Sequence, residues 1–343
     1  MVRTALEEMC KDGAFTRKDA AWRDWISREA GAKFAPEKNR YHLFVAYACP
    51  WAHRTLMVRA LKGLEDVISA TVVHPTWQNT KPGVAEDNHS GWVFGNPGSK
   101  NLVNTIGLGG PFPAAYPDNE PDPITGSNNI REVYEKAEDK DGKYSVPILW
   151  DTKLKTIVSN ESSEIIRMFN SEFTEFAAYP DLDLYPGDER GKIEAANKWI
   201  YPNINNGVYR CGFATSQEAY DAAIDDLTKS FDRVDSILQS QRFITAGDKM
   251  TLADVRLFVT LLRFDEVYVV YFKTNTRSVT HTPAILNYCR EIYQMTGVKD
   301  TVNMEQIKAH YYTSHPTLNH FSIIPRGADF ERLLQQPHNR ENL

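Results

Sequence analysis

Tyr41-His-Leu-Phe-Val-Ala-Tyr-Ala-Cys49-Pro50-Trp-Ala-His-Arg54 reads as an apolar strand that delivers one thiol to the mouth of a helix. Residues 41–47 are aromatic and β-branched in the manner of a strand, and a helical pattern runs from Pro50 to Lys62, with Gly63 placed to end it. Cys49 therefore falls at the N-cap. Pro50 suits the first helical position, where its missing N–H costs nothing and its φ is already near the helical value. Unpaired N–H groups and the positive end of the helix dipole then face the sulfur. Such a setting lowers a thiol pKa from about 8.5 towards neutrality or below and makes it a nucleophile. Arg54 adds positive charge one turn on. A dithiol redox turn would carry a second cysteine at position 52, but Ala52 stands there, so an external thiol must resolve any adduct. The plainer alternative is that Cys49 is a small buried hydrophobe at a strand end.

The chain has 343 residues, enough for two domains or one large one with a substantial core. Lys and Arg total 39 against 45 Asp and Glu, a net charge of −6, which favours neither nucleic acid nor an anionic membrane as partner. Cys10, Cys49, Cys211 and Cys289 are far apart and form neither a disulfide framework nor metal-ligand spacing, which fits a reducing, cytoplasmic compartment. The first residues lack the pattern of a secretory or transit peptide, and no run approaches the roughly 20 apolar residues that span a bilayer.

Residues 1–40 read as an N-terminal extension pinned onto the body by Trp22 and Trp25. After the Cys49 helix, Ile68–Val73 gives a second strand and completes a β-α-β unit. Residues 74–126 form a long insertion rich in Gly, Pro, Asn and Asp, with Trp77, Trp92, Phe94, Phe112 and Tyr116 scattered through it; loops of this length tend to be functional or disordered. A helix follows at 129–138, then Val146-Pro-Ile-Leu-Trp150. Pro147 cannot donate to a ladder and marks an edge, a bulge or a cis bond. Thr156–Val158 makes a hairpin partner, and a helix capped by Ser159 or Asn160 runs to Phe169. The fold expected for 41–175 is α/β and thioredoxin-like, with the Cys turn and the proline loop side by side.

Beyond a Pro- and Gly-marked linker the pattern is helical, at 188–203, 218–241, from the Thr251-Leu-Ala-Asp254 capping box to about 265, at 283–295 and at 304–312. This sets an all-α domain at 188–325 and a polar tail at 326–343.

A thioredoxin-like domain joined to a helical domain opened by such a capping box resembles the soluble glutathione transferases. Cys-Pro-Trp-Ala-His-Arg (49–54), Val-Pro-Ile-Leu-Trp-Asp (146–151), Ser-Asn-Glu-Ser (159–162), Ile-Arg-Met-Phe (166–169), Asn-Asn-Gly-Val-Tyr (205–209) and Ile-Tyr-Gln-Met (292–295) resemble the glutathionyl-hydroquinone reductases, the Xi class. The resemblance spans about 40–320. It implies glutathione-dependent reduction of S-glutathionyl-hydroquinones, with glutathione as co-substrate, no metal, and a homodimer. It also implies roles. Cys49 is the nucleophile. Glu161 and Ser162 hold the γ-glutamyl end, Val146 beside cis-Pro147 pairs with the cysteinyl backbone, and Trp92 and Arg131 cover glutathione and bind a carboxylate. Tyr209 and Tyr311 serve as catalytic hydroxyls at the hydroquinone site, joined by Tyr268. Tyr271 stands where the family carries His. Each has an ordinary alternative: a capping charge for Glu161, a solvated helix face for Arg131, a loop anchor for Trp92, core packing for the tyrosines.

His53 sits close to Cys49 in sequence but one residue on around the helix points away, against a Cys–His pair. His310, His315 and His320 recur at a spacing that does not align on one helix face, so no metal site is expected. Two other functions compete with the reductase reading. One is an Omega-type thioltransferase or dehydroascorbate reductase using the same thiol on disulfides; the other is a non-catalytic ligand-binding homologue.

Overall fold

A computed structural model describes residues 12–245 and 248–343. Cys10, named above as one of four cysteines, lies outside them. Contacts divide the chain into two compact units, the first holding Asp19–Pro180 and Thr301–Pro325, the second holding 12–18, Asp181–Asp300 and Arg326–Leu343.

The first unit is built on the strand–thiol–helix stretch. β1 (Tyr41–Val45) is wholly buried and leads to α1 (Pro50–Leu61), which carries a proline in its first turn and ends where Gly63 takes φ +62°. Only glycine is at ease there: a Cβ on Gly63 would lie 2.5 Å from that of Ala178. β2 (Ser69–Val72) pairs parallel to β1, and two short strands, β3 (Gln78–Asn79) and β4 (Ser90–Gly91), pair with each other inside the long insertion. α2 (Ile130–Lys136), β5 (Ile148–Asp151), β6 (Thr156–Ser159) and α3 (Ser162–Ser171) follow. The four-stranded sheet has the order β2-β1-β5-β6, with β5 antiparallel to both neighbours, and α1 packs on α3.

Elsewhere the sequence expectation needs correction. The insertion is packed, with Trp77, Trp92, Phe94, Phe112 and Tyr116 all 6–8% exposed. Its aromatics meet a helix expected to belong to the other domain, α10 (Met304–Thr313). His310 Nδ1 lies 2.9 Å from the Pro75 carbonyl, Thr313 Oγ1 2.8 Å from Thr76 Oγ1, and Ser314 Oγ accepts from the Trp77 N–H at 3.0 Å. Those bonds assign 301–325 to the first unit. In the N-terminal extension Trp22 is anchored, its indole donating to Asp139 Oδ1 at 2.7 Å, but Trp25 is 39% exposed and Ile26 is the buried residue. The α3 cap is neither Ser159 nor Asn160. Glu161 fills it, accepting the Ser163 N–H at 2.8 Å.

The second unit is helical: α4 (Arg190–Ile200), α5 (Gly207–Gly212), α6 (Gln217–Leu238), α7 (Leu252–Arg263), α8 (Val269–Tyr271), α9 (Pro283–Gln294) and α11 (Phe330–Leu334). A π-helical turn, Tyr201–Asn205, joins α4 to α5, and another, Phe264–Tyr268, joins α7 to α8. The capping box at Thr251 forms as the sequence predicts, and Asp254 does more than close it. Its buried carboxylate also accepts from the Ile244 N–H at 2.9 Å and the Tyr288 hydroxyl at 3.0 Å, tying α7 to α9 and the preceding loop. The polar tail is no loose end: Arg340 is 1% exposed and donates to the carbonyls of Leu238 and Arg242 at 3.1 and 2.7 Å.

Candidate active site

Sheet register brings the thiol, the proline loop and the start of α3 to one edge. Phe44 pairs with Ile148, so the chain beyond Val45 emerges beside the chain preceding β5, and Ser159 pairs with Leu149, so β6 delivers α3 to the same edge. Cys49 is the N-cap of α1, partly exposed, with extended backbone (φ −76°, ψ 116°) and no side-chain cap bond. Its Sγ lies 3.5 Å from the Val146 carbonyl, to which the thiol form donates, and the Val146–Pro147 peptide is cis. Ala52, where a dithiol turn would have its second sulfur, is fully buried. Ser162 opens α3 and is buried, and the Glu161 carboxylate already caps that first turn through the Ser163 N–H.

The other described thiols are more deeply buried than Cys49. Burial pushes Cys211 up to about 12 and Cys289 higher still, so both stay protonated at neutral pH. His53 directs Nε2 to Thr301 Oγ1 at 2.9 Å, and the Arg54 guanidinium covers the Trp51 ring at 4.6 Å. Among the described residues no group of three or more His, Cys, Asp or Glu is arranged to hold a metal ion.

Trp92 and Arg131 are both buried and engaged with other residues of the first unit. Trp92 is buried, stacked on His310 at 4.3 Å and edge-on to Trp77 at 5.6 Å. Arg131 is 5% exposed, pairs with Asp87 at 2.6 Å and Glu135 at 2.9 Å, and covers the Tyr144 ring at 5.5 Å. Those partners raise the guanidinium pKa, and Arg131 in turn pulls Asp87 down to about 2. A guanidinium so committed holds the insertion to α2; a ligand carboxylate would have to compete with two protein carboxylates.

The three tyrosines fall in different places. Tyr311, on α10, is in the first unit, buried, its ring 5.3 Å from that of His310 and so one neighbour away from Trp92. Tyr209, on α5, and Tyr268, closing the second π turn, are in the second unit with ring centroids 6.2 Å apart. Phe272 stacks on Tyr268 at 5.4 Å and 10° and touches Tyr209 at 5.4 Å. Tyr271 lies on the edge of this cluster, 5.4 Å from Phe272. π turns inside α-helices recur at functional sites because the extra residue re-aims the side chains after it. Here one precedes Tyr209 and the other ends on Tyr268. The sequence signal for the first was Pro202, inside a helical pattern it should have broken. Sequence reasoning missed Phe15 and Arg17, which pack on Tyr209 from the extension: Phe15 at 6.3 Å ring to ring, Arg17 at 5.0 Å over the ring face.

A strand–thiol–helix, a cis-proline loop at the same sheet edge and a separate helical unit define a thiol-dependent transferase fold. Residues 48–172 match the family model for the glutathione S-transferase N-terminal domain, and 217–291 that for the C-terminal domain. The chain belongs to the glutathione transferase family, in its Xi class. It is 40% identical over 336 residues to glutathionyl-hydroquinone reductase YqjG of Escherichia coli K12, covering 96% of this chain and 93% of that protein. The crystal structure of the Xi transferase from Phanerochaete chrysosporium superposes with TM-score 0.82 at 43% identity, covering 94% and 95% of the two chains. The glutathione-bound structure of YqjG does so with TM-score 0.81 at 39% identity, covering 94% and 96%.

Proposed function

We propose that this enzyme reduces S-glutathionyl-hydroquinones by a monothiol mechanism. The observation that carries the reading is Cys49 at the start of α1, 3.5 Å from the carbonyl of the cis-proline loop, with Ala52 in place of a resolving thiol. The relative YqjG, named for this activity and solved with glutathione, supports it. Cys49 thiolate attacks the glutathione sulfur of the substrate thioether. The S–S bond forms, the carbon–sulfur bond breaks, and the ring carbon takes the electron pair and a proton to give the hydroquinone. Free glutathione then attacks the mixed disulfide, releasing glutathione disulfide and restoring Cys49. Net, one free glutathione thiol and the thioether sulfur of the substrate are oxidised to the disulfide, one aryl carbon is reduced, and Cys49 is unchanged.

In this reading the start of α3, with Glu161 and Ser162, takes the γ-glutamyl end, and Val146 pairs with the cysteinyl backbone. Trp92 and Arg131 support the site through the packed insertion. Tyr209, Tyr268 and Tyr311 serve the hydroquinone end, since a carbon leaving group needs a proton donor that a thiolate does not. The protein works as a homodimer in the cytoplasm without a metal. Among the described residues no helix is long and apolar enough to cross a membrane.

Parallel assays with glutathione and a glutathionyl-hydroquinone, a small mixed disulfide and dehydroascorbate test this. The first is expected to be turned over best, and Cys49→Ser to abolish it, with a glutathione adduct found on Cys49 alone in the wild type. Tyr209→Phe and Tyr311→Phe should each lower kcat on the hydroquinone conjugate by about 10- to 1,000-fold and leave disulfide reduction unchanged. More than about a tenth of wild-type turnover in Cys49→Ser would reject the covalent mechanism.

A further inference from the structure

We infer that Arg17 is a positioning residue for the reductive step, acting through Tyr209 by placing a cation on its ring. The inference rests on the reading of Tyr209 as a proton donor. Residues 12–18 are built into the helical unit. The Thr215 N–H donates to the Gly13 carbonyl at 3.0 Å and Ser216 Oγ to the Asp12 carbonyl at 3.0 Å. Gly13 sits at φ +84°, where a Cβ would lie 2.9 Å from Thr215 Oγ1. Phe15, 4% exposed, fills the space between Tyr209 and Phe213. Arg17 is then held in place: Nε donates to Asn206 Oδ1 at 3.2 Å, and Cζ lies 5.2 Å over Phe15 and 5.0 Å over Tyr209. Asn206 is the residue joining the π turn to α5, so the hydrogen bond fixes the guanidinium to the backbone that aims Tyr209.

A cation over a phenol favours the phenolate, because negative charge spreads into the ring. Proton transfer from Tyr209 to the departing ring carbon develops that same charge, so Arg17 stabilises the transition state more than the resting phenol. Other charged and titratable groups about α5 do not duplicate this. Arg210 is paired with Asp226 at 3.1 Å, burial raises Cys211 with Arg210 and Lys273 offsetting only part of it, and burial holds Tyr220 above its ordinary value. The Tyr268 ring lies 6.2 Å away and carries no cation.

The test is single-turnover release of hydroquinone from a glutathionyl-hydroquinone without free glutathione, as a function of pH, with a mixed disulfide as control. Arg17→Gln should slow release about 5- to 10-fold at neutral pH and move the alkaline limb of the profile up by about half to one unit. The disulfide rate should not change, and Arg17→Lys should restore much of the loss. Asn206→Asp, isosteric and independent of Arg17→Gln folding, places a carboxylate on the guanidinium and should shift the limb in the same direction. An unmoved limb in both variants, or equal losses on both substrates, overturns the inference. Tyr209→Phe separates the two levels. If it slows release while Arg17→Gln leaves the profile in place, the role of Arg17 falls alone; if it releases hydroquinone at the wild-type rate, the reading of Tyr209 falls with it.

Discussion

Gly212→Ala tests whether the aromatic cluster is as tightly set as its distances indicate. Gly212 ends α5, three residues after Tyr209, and a Cβ there would lie 2.1, 2.3 and 2.6 Å from Cδ1, Cγ and Cε1 of Phe272. Ordinary carbon contacts are about 3.5–4.0 Å, so the ring would have to retreat by more than about 1 Å. It has nowhere to go. Phe272 is fully buried and touches Phe213 at 5.2 Å, Tyr209 at 5.4 Å, Tyr268 at 5.4 Å and Tyr271 at 5.4 Å. Overpacking of this kind costs about 1–3 kcal/mol, and the better helix propensity of alanine returns at most about 1 kcal/mol. A net loss of about 1–2 kcal/mol should lower the thermal midpoint by several degrees in a calorimetric scan. Because the displaced ring is stacked on Tyr268 and against Tyr209, kcat on a glutathionyl-hydroquinone should fall by about tenfold or more, while reduction of a small mixed disulfide stays near wild type. A midpoint within a degree of wild type with unchanged kcat on both substrates would refute the packing argument.

Three more outcomes are expected. Burial holds His42, His89 and His315 down to about 4, so each stays neutral when folded but binds a proton near 6.5 when unfolded; stability is therefore lost as pH falls from about 6.5 towards 4, by about 1–2 kcal/mol per imidazole at pH 5, and denaturant titrations at pH 7 and 5 should show it. An unchanged midpoint between those conditions would contradict the buried neutral state. Asp254→Ala removes the acceptor shared by Ile244, Thr251 and Tyr288 and should cost about 3–5 kcal/mol, against about 1 kcal/mol for Thr251→Ala; equal losses in urea unfolding would mean that the capping box alone matters. Light scattering at micromolar concentration should give twice the 39.1 kDa chain mass, and a monomer mass would remove the homodimer proposal.

The thiol edge was legible because its determinants are local. A strand composition, a cysteine and a proline at the first helical position suffice to set Cys49, and Pro147 and the start of α3 follow from strand order. Thr251 and Asp254 were legible for the same reason, three residues apart. The misplaced features depend mostly on partners distant in sequence. Glu161 displaced Ser159 and Asn160 as the cap because Ser159 Oγ accepts the Glu161 N–H and the Asn160 side chain faces Trp22 and Tyr134. A solvated helix face was the ordinary alternative for Arg131, and it fails because Asp87 comes to the guanidinium from 44 residues upstream. The helix 304–312 was seen, yet its allegiance is decided by Thr76 and Trp77, more than 200 residues away. Tyr209 was found through a motif, whereas Phe15 and Arg17 carry no local signature.

The helical unit is assembled from three segments far apart in sequence, 12–18, Asp181–Asp300 and Arg326–Leu343. During synthesis its closure therefore waits on Arg326–Leu343. Gly327 must seat against Glu266, whose carboxylate takes the Ala328 and Phe330 N–H groups at 2.9 and 3.1 Å, and Arg340 must reach the carbonyls at the end of α6. Glu266 is two residues before Tyr268, so the turn that aims a candidate substrate-facing ring is among the last features fixed. A nascent chain halted at residue 325 would hold every candidate catalytic side chain and still lack the contacts that lock this turn. Loop closure of that length is slow and leaves apolar helix faces open meanwhile. Topology thus separates the two candidate groups in folding: the strand–thiol–helix of the first unit needs nothing beyond residue 325, whereas the turn that carries Tyr268 does.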